Sequence, residues 1–223
     1  MVRSYGQYCP MSRGAEVFAT RWTPIVVRNL LRGCRTFGEI HAGAPAMSRT
    51  LLVERLRMLE HHGVIERRPA PSGRGHLYEP TEAGRALAPV CDALAEWGER
   101  WMDMAPEHFD AGTLLWSFCA NLPEELMPDR RVVVRIVIEG SRDRFWLLID
   151  PPDAELCAKP PGFDDDLVVR TTPEWLTHWH TGRVRLGQAM RDRRIAVDGP
   201  RDLIRWLAGV GGTGSIAGPL AAR

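Results

Sequence analysis

Lysine is nearly missing from this chain. Lys159 is the single one among 29 basic residues in 223, so almost every positive charge is an arginine, the permanently charged planar group that pairs bidentately with phosphates and guanine edges. A compositional bias would give the same count, so this alone carries little weight. Cysteine is sparse and scattered: Cys9, Cys34, Cys91, Cys119 and Cys157 show neither CxxC nor Cys/His ligand spacing, which argues against structural zinc and against a disulfide framework. There is no run of about 18 apolar residues and no basic-then-apolar start, so the expectation is a cytoplasmic chain without membrane partners. A nucleophile elbow, a phosphate-binding glycine loop and a zinc-protease signature are also lacking. No catalytic residue, cofactor or metal site is assigned, and an enzyme is not expected. His178 and His180, two apart, would diverge by about 200° on a helix and cannot share an ion. The acidic run 164–166 has no ligand pattern and reads as a solvated loop.

What is present is ordinary globular composition, 44% hydrophobic over a length that allows two modest domains. The net charge of +1 hides an asymmetry. Residues 1–105 hold 14 Arg against 11 acidic residues, whereas residues 106–223 are net acidic, so the first half is the better partner for a polyanion.

The stretch 47–80 organises the chain. Ser48 is a good helix N-cap, and Leu52, Leu56 and Leu59 then recur at spacings of four and three, which lines one buried stripe. The opposite side carries Thr50, Val53, Glu54 and Arg57, with Arg49 at the N-terminal end. Gly63 stands where a helix terminator would, and the β-branched run from Val64 starts a strand. Pro69, Pro71, Gly73 and Gly75 are expected to break it, making 70–75 a hairpin tip with Arg74 at its exposed end, before extended character resumes at His76. A helix followed by a hairpin predicts a recognition helix and a wing.

Upstream, residues 11–21 are helix-compatible with Ser12 as cap, and Thr23-Pro24 reads as an N-cap followed by a proline at the first helical position. A short third helix is expected from Thr36, closed by Gly43 and Pro45. Seven pieces in order then carry a likeness: Cys9-Pro10; Arg21-Trp22-Thr23; Leu30 to Gly33; Arg35-Thr36-Phe37-Gly38-Glu39-Ile40; Leu52 to Glu60; Gly63-Val64-Ile65-Glu66-Arg67; and Tyr78-Glu79-Pro80-Thr81-Glu82-Ala83-Gly84. Together they resemble the HxlR family of bacterial winged-helix regulators over about residues 9–101. That resemblance implies a homodimer bound to inverted repeats in double-stranded DNA, with helices outside the winged core forming the dimer contact. Residues 81–104 suit the contact: Leu87, Val90, Leu94, Trp97 and Trp101 recur at three and four.

A boundary is expected at about residues 105–110, giving a first domain over 1–105, a second over 106–210 and a glycine-rich tail over 211–223. The second pattern reads as a helix over 114–126, strands over 131–139, 144–150, 155–158 and 166–171, helices from Pro173 and Leu186, a strand at Ile195, and a last helix to Leu207. Over about residues 110–209, and most clearly after Asp166, this order resembles sterol-carrier-protein-type (SCP2-like) domains, which implies an apolar tunnel between sheet and helices. The fold class expected is α+β: a winged helix-turn-helix followed by an SCP2-like sheet-and-helix domain with a cavity.

The DNA-contacting candidates are Ser48, Arg49, Thr50, Val53, Arg57 and Arg74. Candidates for a small hydrophobic effector are Leu115, Trp116, Phe118, Ile136, Trp146, Leu148, Trp175 and Trp179, aromatics and aliphatics that would equally fill a core. Cys9 is a redox candidate because the resemblance implies a thiol at this Cys-Pro position in several relatives, and a nearby helix N-terminus favours thiolate. The function expected is a homodimeric transcription regulator controlled by a hydrophobic ligand. A lipid or metabolite carrier and a repressor switched by the Cys9 thiol are the alternatives.

Overall fold

A proline decides where the first helix begins. In the computed structural model, which describes residues 4–71 and 75–211, α1 spans Pro10–Phe18 with Cys9 at the N-cap. Ser12, expected as the cap, lies in the first turn instead. Pro10 comes pre-set at the helical φ and has no N–H to satisfy, so it outcompetes a serine two residues later. The next helix, α2 (Thr23–Leu31), departs in the same direction: Trp22 occupies the cap in a left-handed conformation with φ of 76°, and Thr23 is already helical. Thr23 is fully buried, which leaves it no role as a boundary residue.

The described residues divide into two compact units, with the division after Arg100. In the first, α3 (Phe37–Ala42) opens with a reciprocal capping box between Thr36 and Glu39. The recognition-helix stretch is α4 (Arg49–His61), followed by β1 (Ile65–Pro69) and β2 (His76–Pro80), antiparallel from Ile65 opposite Pro80 to Pro69 opposite His76. Gly63 ends α4 with φ of 68°, the left-handed step that lets the chain turn into β1. Pro69 is the last residue of β1 rather than its breaker, because it sits at the end of a two-stranded edge where a missing N–H costs little. An isolated bridge pairs Thr36 with Leu77 and the Tyr78 amide donates to the Arg35 carbonyl at 2.8 Å, tying the hairpin to the start of α3. Asn29, fully buried on α2, donates to the Ile40 carbonyl at 2.9 Å while its own oxygen accepts from Arg28. That buried amide fixes α2 against α3, on the approach to α4.

The long helix expected over 81–104 is two helices, α5 (Glu82–Arg85) and α6 (Ala88–Trp101). Pro89 explains the interruption: with no N–H it is tolerated only in a first turn, so the helix restarts just before it.

In the second unit, α7 (Ala111–Asn121) begins earlier than expected because Asp110 caps it, accepting from the Gly112 and Thr113 amides at 3.0 and 3.3 Å. The strands are β3 (Val132–Ile138), β4 (Arg144–Asp150), β5 (Asp153–Cys157), β6 (Leu167–Thr171) and β7 (Ile195–Asp198), with α8 (Pro173–His180) and α9 (Leu186–Arg191) between the last two and α10 (Arg201–Val210) after them. The sheet order is β5-β4-β3-β6-β7, parallel only between β3 and β6. Val132, Val134, Ile136 and Ile138 on the inner face share one core with Leu115, Phe118, Leu176, Trp179 and Leu207 from the helices. By period-two alternation, Val133, Arg135 and Val137 face the other way.

Candidate nucleic-acid interface

Helix α4 turns one face inward and one outward. Leu52, Leu56 and Leu59 are buried at 2% exposure or less, each worth about 1.5–3 kcal/mol of apolar burial. Ser48 caps the helix, its hydroxyl accepting from the Leu51 amide at 3.3 Å. Ser48, Arg49, Thr50 and Arg57 are exposed and Val53 is half-buried, so these five share an accessible surface. Arg74 lies outside the described residues. The two helix arginines differ in setting: the Arg49 guanidinium rests 5.9 Å from the centre of the Phe37 ring, whereas Arg55, on the same helix, is spent on the Arg21 carbonyl at 3.2 Å. Neither Arg49 nor Arg57 has a carboxylate partner among the described residues. The hairpin arginines are partly neutralised in place, Arg68 by Glu66 at 2.7 Å and Arg67 by Glu60 at 3.5 Å. Arg49 and Arg57 thus stand on the outward side of α4 unpaired among the described residues, with the exposed Glu54 beside them. The Phe37 platform under Arg49 was not anticipated, although the twelve-residue separation of an aromatic at one helix start and an arginine at the next is visible in the sequence.

Along α6, Val90, Leu94, Trp97 and Trp101 are 46%, 48%, 53% and 62% exposed, and Leu87 is half-buried. These side chains do not fill the core of their own unit. Tyr5, Tyr8 and Met11, early in the sequence of that unit, are exposed too.

The HxlR-like helix-turn-helix family model matches residues 17–106. An HTH-type transcriptional regulator of Bacillus subtilis, YvaP, is 34% identical over 99 residues, which is 44% of this chain and 92% of that protein. This chain belongs to the HxlR-like helix-turn-helix family. At that level it is a DNA-binding transcription regulator. Among solved structures, the redox regulator HypR in its reduced form is 28% identical, covering 43% of this chain and 95% of that one with a TM-score of 0.40. A ubiquinone synthesis protein, UbiJ-SCP2, is 13% identical with a TM-score of 0.34, covering 56% of this chain and 92% of that one, and this slight likeness assigns nothing to the second unit.

The thiols of this HxlR-like chain fall into two groups. Cys9, half-exposed at the N-cap of α1, has its pKa lowered, chiefly by the Ser12 amide, with further hydrogen bonds from the Ser12 side chain and the Met11 amide. Burial pushes Cys34 and Cys91 up to about 11 and Cys119 to about 12, and also raises Cys157. No group of three or more His, Cys, Asp or Glu that would hold a metal ion occurs among the described residues.

Beyond the family match, the eight residues expected to line a cavity do not converge. Leu115, Phe118, Ile136 and Trp179 are buried in the core between sheet and helices, with the Phe118 and Trp179 rings 6.0 Å apart. Trp146 and Leu148 face the opposite side of the sheet: Ile136 pairs with Phe145, so Trp146 pairs with Arg135 on the other face. The Trp146 indole donates to Asp165 at 3.0 Å. Trp116 is half-buried, and Trp175 sits edge-on to His178 at 5.6 Å with the Arg194 guanidinium 5.1 Å from its ring. A cleft of about 820 Å³ does occur in this unit, where Trp179 meets the loop before α9. Of the eight, only Trp179 lines it. Sequence reasoning counted aromatics and did not apply the register that sorts them between two faces.

Proposed function

We propose that this HxlR-like chain binds an inverted-repeat operator as a homodimer, with α4 laid in the major groove and the β1–β2 hairpin against the backbone or minor groove. In this reading Ser48 holds a phosphate as well as its cap, Arg49 and Arg57 reach guanine edges or phosphates, Thr50 bonds to a base edge, and Val53 meets a thymine methyl. The observation that carries it is the pair of exposed arginines on α4 without a carboxylate partner among the described residues, on a helix that turns Leu52, Leu56 and Leu59 inward. Leu87, Val90, Leu94, Trp97 and Trp101 would pair across the two-fold axis, a use that accounts for the exposure of Val90, Leu94, Trp97 and Trp101.

Residues 106–210 would act as the sensing domain, SCP2-like in its sheet with helices over one face, and a ligand there would shift the dimer between DNA-competent and incompetent geometries. That shift is bounded by the ligand's preference for one state. A second reading has its own support: Cys9 is the one thiol with a lowered pKa, so oxidation or alkylation at the N-cap of α1 would be the switch. The test is a mobility shift with DNA from upstream of the chain's own coding region, repeated with diamide and with a lipid extract. Retarded DNA is expected. Relief by extract selects ligand control, relief by diamide the thiol switch, and no retardation at any concentration would replace the regulator with a carrier.

A further inference from the structure

The cleft in the second unit is chemically two-sided. Its floor is apolar, from Trp179, Val184 and Leu186, and its edge carries Arg183, Arg185 and Arg191. No acidic side chain among the described residues lines it. Arg191 is steadied by the Gln188 side chain at 3.1 Å, but Arg183 and Arg185 have no ion-pair partner among the described residues. Three like charges around one opening repel each other and favour an anion between them. The Trp179 indole N–H is buried and has no hydrogen-bond partner among the described residues, and Trp179 itself is only 4% exposed. Such an orphaned donor is costly unless something completes it. Gly211 borders the same edge, and a Cβ there would stand 2.1 Å from that nitrogen, so a glycine keeps a side chain off the N–H.

We propose that this cleft binds a small anionic amphiphile, a carboxylate or phosphate on an apolar tail or ring, with Arg183 and Arg185 holding the head group and Trp179, Val184 and Leu186 holding the apolar part. The volume is in the range of small-molecule sites. Charge-assisted hydrogen bonds from guanidinium to carboxylate or phosphate supply the selection against neutral ligands. The proposal rests on the reading of this unit as a ligand-sensing domain and adds an anionic head group to the hydrophobic effector.

The test is calorimetric titration of the full chain with dodecanoate and dodecyl phosphate below their micellar concentrations, with dodecanol and inorganic phosphate as controls. Both amphiphilic anions are expected to bind, the preferred one naming the head group, and dodecanol to bind at least roughly tenfold more weakly. The double variant Arg183→Gln with Arg185→Gln should lose roughly tenfold or more for the anions and leave dodecanol unchanged. Ala208→Trp, on an exposed position of α10 that lines the cleft, should weaken every amphiphile by filling the space. Equal affinity for dodecanol or inorganic phosphate, or anion affinity unchanged in the double variant, would overturn the proposal. A mobility shift run with dodecanoate separates the two claims. Binding in the calorimeter with operator affinity unchanged upholds the cleft and sinks ligand control, whereas no binding of either anion alongside relief by a neutral extract does the reverse.

Discussion

Single side chains set the reactivity and the pH response of the first unit. Cys9 accepts hydrogen bonds from the amides of Ser12 and Met11 at a helix start, which favours its thiolate, while burial holds Cys34, Cys91 and Cys119 protonated at neutral pH. Iodoacetamide with peptide mapping should therefore modify Cys9 first and leave those three unmodified in the folded chain, and equal labelling of Cys91 would contradict this. Glu16 makes a second such case. Its carboxylate accepts from the Tyr5 amide at 2.8 Å and the Ser4 hydroxyl at 2.9 Å and pairs with Arg13 at 2.7 Å, and these bonds, the Tyr5 amide first, lower its pKa. A depressed carboxylate contributes stability that is complete above its unfolded pKa and is lost as pH falls through the lower, folded value. The segment Ser4–Tyr5 should accordingly stay protected in hydrogen exchange at neutral pH and open in acid, and Glu16→Gln should leave it open at every pH.

At the scale of elements, α6 is the clearest case of a pattern with two readings. Its apolar spacing was legible in the sequence, but whether the stripe fills a core or faces outward was not, because periodicity reports a face and not what covers it. Exposure near one half at Val90, Leu94 and Trp97 resolves this toward solvent or a partner. Leu94→Asp should turn a dimer into a monomer in sedimentation equilibrium while leaving the circular dichroism spectrum unchanged. A variant that remains dimeric would move the contact elsewhere. The start of α1 was misplaced because the sequence offers Ser12 and Pro10 within two residues and the proline's fixed φ wins, and Pro89 divides the helix expected over 81–104, whereas the start at Pro173 was legible. Strand β3 was readable from β-branched alternation and β4 from its apolar run. The partner of each strand was not, and it is pairing that sends Trp146 and Ile136 to opposite faces.

For the whole molecule, the two units were read from the sequence with unequal force. Seven ordered pieces fixed the winged helix, whose glycine, caps and inward leucines all agree locally. In the second unit the elements emerged but the binding surface did not, because the residues that gather at its cleft, Arg183, Arg185 and Arg191, look in sequence like solvated charges between helices. The account as a whole depends on the outward face of α4 meeting DNA. Its most direct test is an operator titration comparing the native chain with Arg49→Ala, Arg57→Ala and the double variant, each checked for unchanged thermal unfolding, over a series of salt concentrations. Each substitution should cost about 1–3 kcal/mol if it reads a base, or lower the salt slope by about one if it holds a phosphate. An operator affinity and salt slope identical to those of the native chain, in all three folded variants, would contradict the account.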